Sequence, residues 1–164
     1  MQAITHLAIG ALIQRIIEAQ NYPPYLSVFI IICLAFLSHI FLDAIANITY
    51  HPPTPRKTTF WYSYHLFVLV SSVLFVIIFI QYWLGMLFAN LPDIIDWLIL
   101  RNYYWIKRKN RRFDISFIHK KVIDSVAKKC FWWLPDLREK EWSAINELLI
   151  IAILILMLIV PLKV

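Results

Sequence analysis

Apolar residues along this chain fall in long unbroken blocks, with the polar residues gathered between them. Residues 25–42, 66–88 and 148–162 carry very few charges. Each block approaches or exceeds the roughly 18–20 residues that cross a bilayer as a helix. The in–out alternation of barrel strands is missing, and lipid tolerates no third spanning structure. The pattern predicts an all-α, polytopic membrane protein with four or five embedded helices, at about 3–19, 25–48, 60–82, 83–104 and 146–162. Asn21-Tyr22-Pro23-Pro24 separates the first two, and His51-Pro52-Pro53-Thr54-Pro55 the second and third. Helix 1 reads as short and amphipathic, entering the bilayer only in part. Pro92 lies inside the fourth helix, cannot bond the carbonyl of Phe88, and predicts a kink with a polar backbone group left free. Residues 107–145 read as a polar, basic, amphipathic arm.

Composition supports a single membrane domain. Of 164 residues, 61% are hydrophobic and 16% charged, whereas soluble domains carry about a quarter charged residues. Gln14, Arg15 and Glu18 interrupt the first apolar stretch and no basic leader precedes it, so it reads as a retained helix rather than a cleaved signal. Cys33 lies within a span and Cys130 in a basic segment, which predicts neither a disulfide nor a cysteine metal site.

Charge supplies an orientation. Of the 16 Lys and Arg, 11 fall between Lys107 and Lys140, while Arg56 and Lys57 sit in the loop 49–59. The positive-inside rule puts both segments on the cytoplasmic side. Trp132 and Trp133 within the basic arm favour membrane lipids with anionic headgroups as partners over nucleic acid.

Ionisable groups inside spans cost roughly 2.5–3.5 kcal/mol each at the centre, so they need a reason to be there. Ser38-His39-Ile40-Phe41-Leu42-Asp43 sets an imidazole and a carboxylate one turn apart on one helix face. The pair suits two ligands of one metal, or equally a hydrogen-bonded His–Asp pair joining helices. Asn90, Asp93 and Asp96 form an i,i+3 stripe on the fourth helix. Neighbouring carboxylates repel unless a proton or cation lies between them; the alternative is a solvated helix end. Thr5-His6, with Gly10 one turn on, adds an imidazole and a place for close helix approach. In the orientation above, His6, His39, Asp43, Asp93 and Asp96 share one depth near the cytoplasmic end. That convergence predicts a divalent metal site, with Zn or Mn suited to His and carboxylate donors. His6, His39, Asp43 and Asp93 are the expected ligands. Asp96 is expected as a bridging ligand, a second-metal ligand or a catalytic general base. Asn90, His65 and His119 are additional candidates: His65 reads as interfacial beside Tyr62 and Tyr64, and His119 as headgroup-facing, though able to fold back over the site. His51 reads as solvated.

At these residues the chain resembles the small bacterial and archaeal membrane-bound metal-dependent hydrolases, related to zinc-dependent phospholipase C-like membrane proteins. The matching pieces are Thr5-His6, Ser38-His39-Ile40-Phe41-Leu42-Asp43-Ala44-Ile45 and Leu91-Pro92-Asp93-Ile94-Ile95-Asp96, with His119-Lys120-Lys121 similar to a short basic His motif. The chain departs from larger members, which carry a second His-rich segment where it has Tyr62-Ser63-Tyr64-His65. It also has Ala46-Asn47 where some relatives have Pro-His. The resemblance implies a metal site in a prokaryotic cytoplasmic membrane and metal-dependent hydrolysis, and the headgroup depth of the site with its basic arm points to a lipid-linked (phospho)ester near the cytoplasmic leaflet as substrate. The rival expectation is a non-catalytic membrane protein, an ion or proton carrier or an assembly factor, built on the same His/Asp cluster.

Overall fold

The computed structural model describes residues 1–52, 54, 56–103 and 117–161, and among them it is helical without a strand. The elements are α1 (Ala3–Glu18), α2 (Pro24–Ala44), α3 (Thr59–Ile78), α4 (Trp83–Asp93) with a π-helical continuation Ile94–Leu100, α5 (Asp124–Cys130) entered through a π-turn at His119–Ile123, and α6 (Ala144–Ile159). Four helical stretches, Pro24–Ala44, Thr59–Ile78, Ile80–Tyr103 and Glu141–Ile159, are long and apolar enough to cross a membrane. Their outward faces are apolar: Phe29, Leu37, Leu66, Ile77, Leu149 and Ile159 are each more than half exposed. Such a surface suits acyl chains and is an association hazard in water. The basic run from Lys107 to Arg112 lies outside the described residues.

α1, expected to be amphipathic and to enter the bilayer only in part, is enclosed by the bundle. It packs against α2, α3, α4 and α6, with Ile4, Ala8, Ala11, Leu12 and Ile17 buried together with Thr5, His6 and Gln14. A helix enclosed on all sides needs no polar face, so its polar residues must find partners inside the protein. Arg15 does so by donating to the carbonyls of Met157 at 3.0 Å, Leu158, and Val160 at 2.8 Å, at the end of α6. Gln14 accepts from the Gly85 N–H at 2.9 Å and donates to Glu18 at 2.7 Å.

The expected close approach at Gly10 is present, and its partner is the chain's other glycine. A Cβ on Gly10 would lie 2.3 Å from the Gly85 carbonyl oxygen, and one on Gly85 would lie 2.1 Å from that of Gly10. Backbone meets backbone where α1 crosses α4, as small residues allow within membranes.

Pro92 lies inside α4, and the helix widens into the π-helical stretch directly after it. The carbonyl of Ala89, in the turn before Pro92, accepts a hydrogen bond from His39 Nδ1 at 2.7 Å. Near the proline a backbone acceptor thus becomes available to a side chain from another helix, one residue along from the Phe88 carbonyl expected.

Beyond residue 116 the arm folds under the end of α2. Ile118 and Ile123 bury against Ala44, the Leu137 N–H donates to the Asn47 carbonyl at 2.7 Å, and the His51 N–H to that of Arg138 at 3.0 Å. The last helix begins at Ala144, two residues before the expected start. Alternation of the five long helices brings the starts of α1, α3 and α6 and the ends of α2 and α4 to one end of the bundle.

Candidate metal centre

That shared end holds the polar residues singled out above. His39 and Asp43 stand on the last two turns of α2, Asp93 on the last turn of α4, and His119 at the π-turn leading into α5. One donor atom from each of these four side chains lies within 4.8 Å of the other three. His39 Nε2 is 3.3 Å from Asp43 Oδ2 and 4.0 Å from Asp93 Oδ1. His119 Nε2 is 3.2 Å from the same two oxygens. Four N and O ligands about 2.1 Å from a tetrahedral zinc ion are about 3.4 Å from one another. The observed separations bracket that spacing.

Proton bookkeeping strengthens the fit. A carbonyl can only accept, so His39 Nδ1 carries the hydrogen of its bond to Ala89, and Nε2 is the ring nitrogen left to face inward. That atom is buried without a hydrogen-bond partner, yet it faces two carboxylate oxygens. Carboxylates gathered round one ring nitrogen are stabilised by a cation between them, a proton or a metal ion. His119 repeats the arrangement: Nδ1 is 2.7 Å from Asp96 Oδ2, which leaves Nε2 aimed at Asp43 and Asp93. Both rings are held at Nδ1 by an outer acceptor and offer Nε2 inward, as metal-ligating histidines characteristically do.

Asp96 has its oxygens otherwise occupied. Oδ1 accepts the N–H groups of Phe117 and Ile118 at 3.1 and 3.2 Å, and Oδ2 accepts the N–H and the Nδ1 of His119 at 2.9 and 2.7 Å. Buried at 1% exposure, it anchors the returning arm and orients His119. His6 lies on the other oxygen of Asp43, with Nε2 3.1 Å from Oδ1, and its ring stacks on His39 at 4.0 Å. It therefore steadies Asp43 from behind, outside the four-residue group. The Met1 amino group also donates to Asp43 Oδ1.

The remaining candidates lie elsewhere. Asn90 bonds the Met86 carbonyl of its own helix at 2.9 Å and lines an apolar groove of about 340 Å³ with Leu7, Val76 and Trp83. His65 bonds the Trp61 carbonyl at 2.7 Å and packs on the Trp61 ring; His51 is exposed. The largest departure is His119, expected to face headgroups and found at the heart of the cluster. Its pairing with Asp96 spans 23 residues, a separation that helical periodicity cannot register.

No family model, curated protein or solved structure matches the chain.

Burial disfavours charge on His119, but hydrogen bonds to Asp43, Asp93 and Asp96 outweigh it and raise its pKa to about 10. Without a metal, this ring therefore holds a proton at neutral pH. Access differs across the cluster: the side chains of His39 and Asp43 are 0% and 10% exposed, those of His119 and Asp93 20% and 32%. The latter two line the open side, beside the Trp97 ring.

Proposed function

We propose that this chain is a membrane-embedded metal-dependent hydrolase that acts on a lipid-linked phosphoester at the headgroup level of the cytoplasmic leaflet. The observation carrying this reading is the pair of imidazoles, each fastened at Nδ1 and each turning Nε2 toward the same two carboxylates. His39, Asp43, Asp93 and His119 would hold the ion, with Zn or Mn suited to this donor set. A bound ion would supply Lewis acidity and a water of lowered pKa. The side chains divide the remaining work. His39 and Asp43 form the enclosed wall and His6 steadies Asp43. Asp93 and His119 face the open side where a phosphoryl group would enter, and Asp96 acts through His119. The depth of the cluster, at the ends of apolar helices, suits a substrate anchored by acyl chains, and Lys120 and Lys121 follow His119 where an anionic headgroup would lie.

One observation favours a second reading. A protonated His119 can bridge Asp43, Asp93 and Asp96 without any metal, which would make the cluster a helix fastening in a non-catalytic protein. Elemental analysis of detergent-purified protein separates the two. The hydrolase reading expects close to one Zn or Mn per chain, a loss of most of it in Asp93→Asn, and cleavage of a chromogenic phosphodiester by wild type alone. Metal-free wild-type protein sinks it.

Uptake is expected to be proton-coupled. His119 is protonated below about pH 10, and a ligating imidazole must be neutral. The ion therefore displaces a proton, and affinity falls about tenfold for each unit the pH is lowered. Competition titrations against a chelator between about pH 6 and 8 read this slope; a flat profile would contradict the role given to His119.

A further inference from the structure

Among the described residues, Glu147 and Asp96 are the buried carboxylates outside the four-residue cluster, and Glu147 has no contact with it. Glu147, in the first turn of α6, is 0% exposed. Its Oε1 accepts from the Gln2 N–H at 2.6 Å and the Thr5 hydroxyl at 2.8 Å, and its Oε2 from the Tyr64 hydroxyl at 3.1 Å. α1 has no side-chain cap of its own and no acidic residue in its first turn. The N–H of Gln2, the residue at its N-cap, is a group that a capping side chain ordinarily satisfies, and here a residue 145 positions away does so while also holding the Thr5 hydroxyl. The negative charge also stands at the positive end of the α1 dipole.

The residue after Thr5 is His6, whose Nε2 touches Asp43 Oδ1. A continuous line of contacts thus runs from Glu147 on α6, through the first turn of α1, to Asp43 on α2. We infer that Glu147 is a positioning residue for the metal centre: it fixes the first turn of α1 so that His6 holds Asp43 in its ligating orientation. This rests on the metal reading above. Glu147 has no donor atom in the four-residue cluster and acts only through α1. Tyr64 fastens the other carboxylate oxygen to α3, away from that line.

Two branches of the Glu147 network give the test. Thr5→Val cuts a bond on the α1 side, Tyr64→Phe cuts the bond on the α3 side, and Glu147→Gln weakens both while keeping the shape. Zn²⁺ dissociation constants and the thermal midpoint of metal-free protein are measured for each in detergent. Outer-shell changes at metal sites typically cost about 10–100-fold in affinity. The expected result is a loss of about tenfold or more for Glu147→Gln and Thr5→Val, with Tyr64→Phe within about twofold of wild type. Tyr64→Phe should instead lower only the thermal midpoint. Wild-type affinity in both Glu147→Gln and Thr5→Val overturns the inference while leaving the metal reading intact, as does an equal loss in all three variants. Wild-type protein that binds no Zn²⁺ overturns the metal reading itself and the inference with it.

Discussion

Asp43→Asn is expected to leave a folded protein that no longer retains metal. The carboxylate is the hub of the centre, touched by His6, His39 and His119 and by the Met1 amino group. Asparagine keeps the volume but removes the charge and replaces one oxygen with an NH₂ group that repels a cation. Changes to groups that merely support a ligand weaken metal sites about 10–100-fold, so loss of a direct ligand should exceed about 100-fold. Folding should survive, because asparagine keeps the shape and its amide oxygen can still accept from the groups that surround Asp43. The measurement is Zn²⁺ content after size exclusion, set beside the thermal midpoint with and without chelator. Wild-type protein should lose stability on chelation, since an ion that binds only the folded state stabilises it; Asp43→Asn should not respond. A variant that still carries one ion per chain would remove Asp43 from the ligand set.

Gly85→Val is expected to be more damaging than any change in the metal cluster. Its Cβ would sit 2.1 Å from the Gly10 carbonyl oxygen, a backbone atom with no rotamer to escape into. Replacing a helical glycine ordinarily gains up to about 1 kcal/mol in propensity. Here overpacking of about 3 kcal/mol or more outweighs it, because α1 and α4 must move apart. These helices carry His6 and Asp93, so the ligand geometry is lost together with the packing. The check is yield of monodisperse protein and its thermal midpoint, with the exposed Leu69→Ala as comparison. A Gly85→Val protein of normal stability and Zn²⁺ content would show that the crossing tolerates a wider gap.

Much of the architecture was legible in sequence because lipid is an undemanding reader: it needs length and apolarity, and residues 25–42, 66–88 and 148–162 show both. That His6, His39, Asp43, Asp93 and Asp96 come to one end of the bundle followed from topology alone. What escaped was set by neighbours distant in sequence. α1 reads as only partly embedded because Gln14, Arg15 and Glu18 interrupt its apolar stretch, whereas Gln14 meets Gly85 and Arg15 meets the end of α6. Asn90 shares a stripe with Asp93 and Asp96, but it turns back to its own helix at Met86. Glu147 was hidden in the opening turn of an apolar helix, where a charge ordinarily marks an interface. His119 depended on a fold-back that only Asp96 explains.

Arg15 and Glu147 acquire a joint meaning from the direction of their helices. α1 and α6 run parallel, so their positive ends lie together and their negative ends lie together, an alignment that dipoles resist. Glu147 places an anion at the paired starts, and Arg15 places a cation at the paired finishes. Because each helix contributes one of the two charges, a shift of either along its axis by a single turn would break both fastenings at once. The two helices are therefore locked against sliding, and the depth at which His6 meets Asp43 is determined from both ends of the bundle.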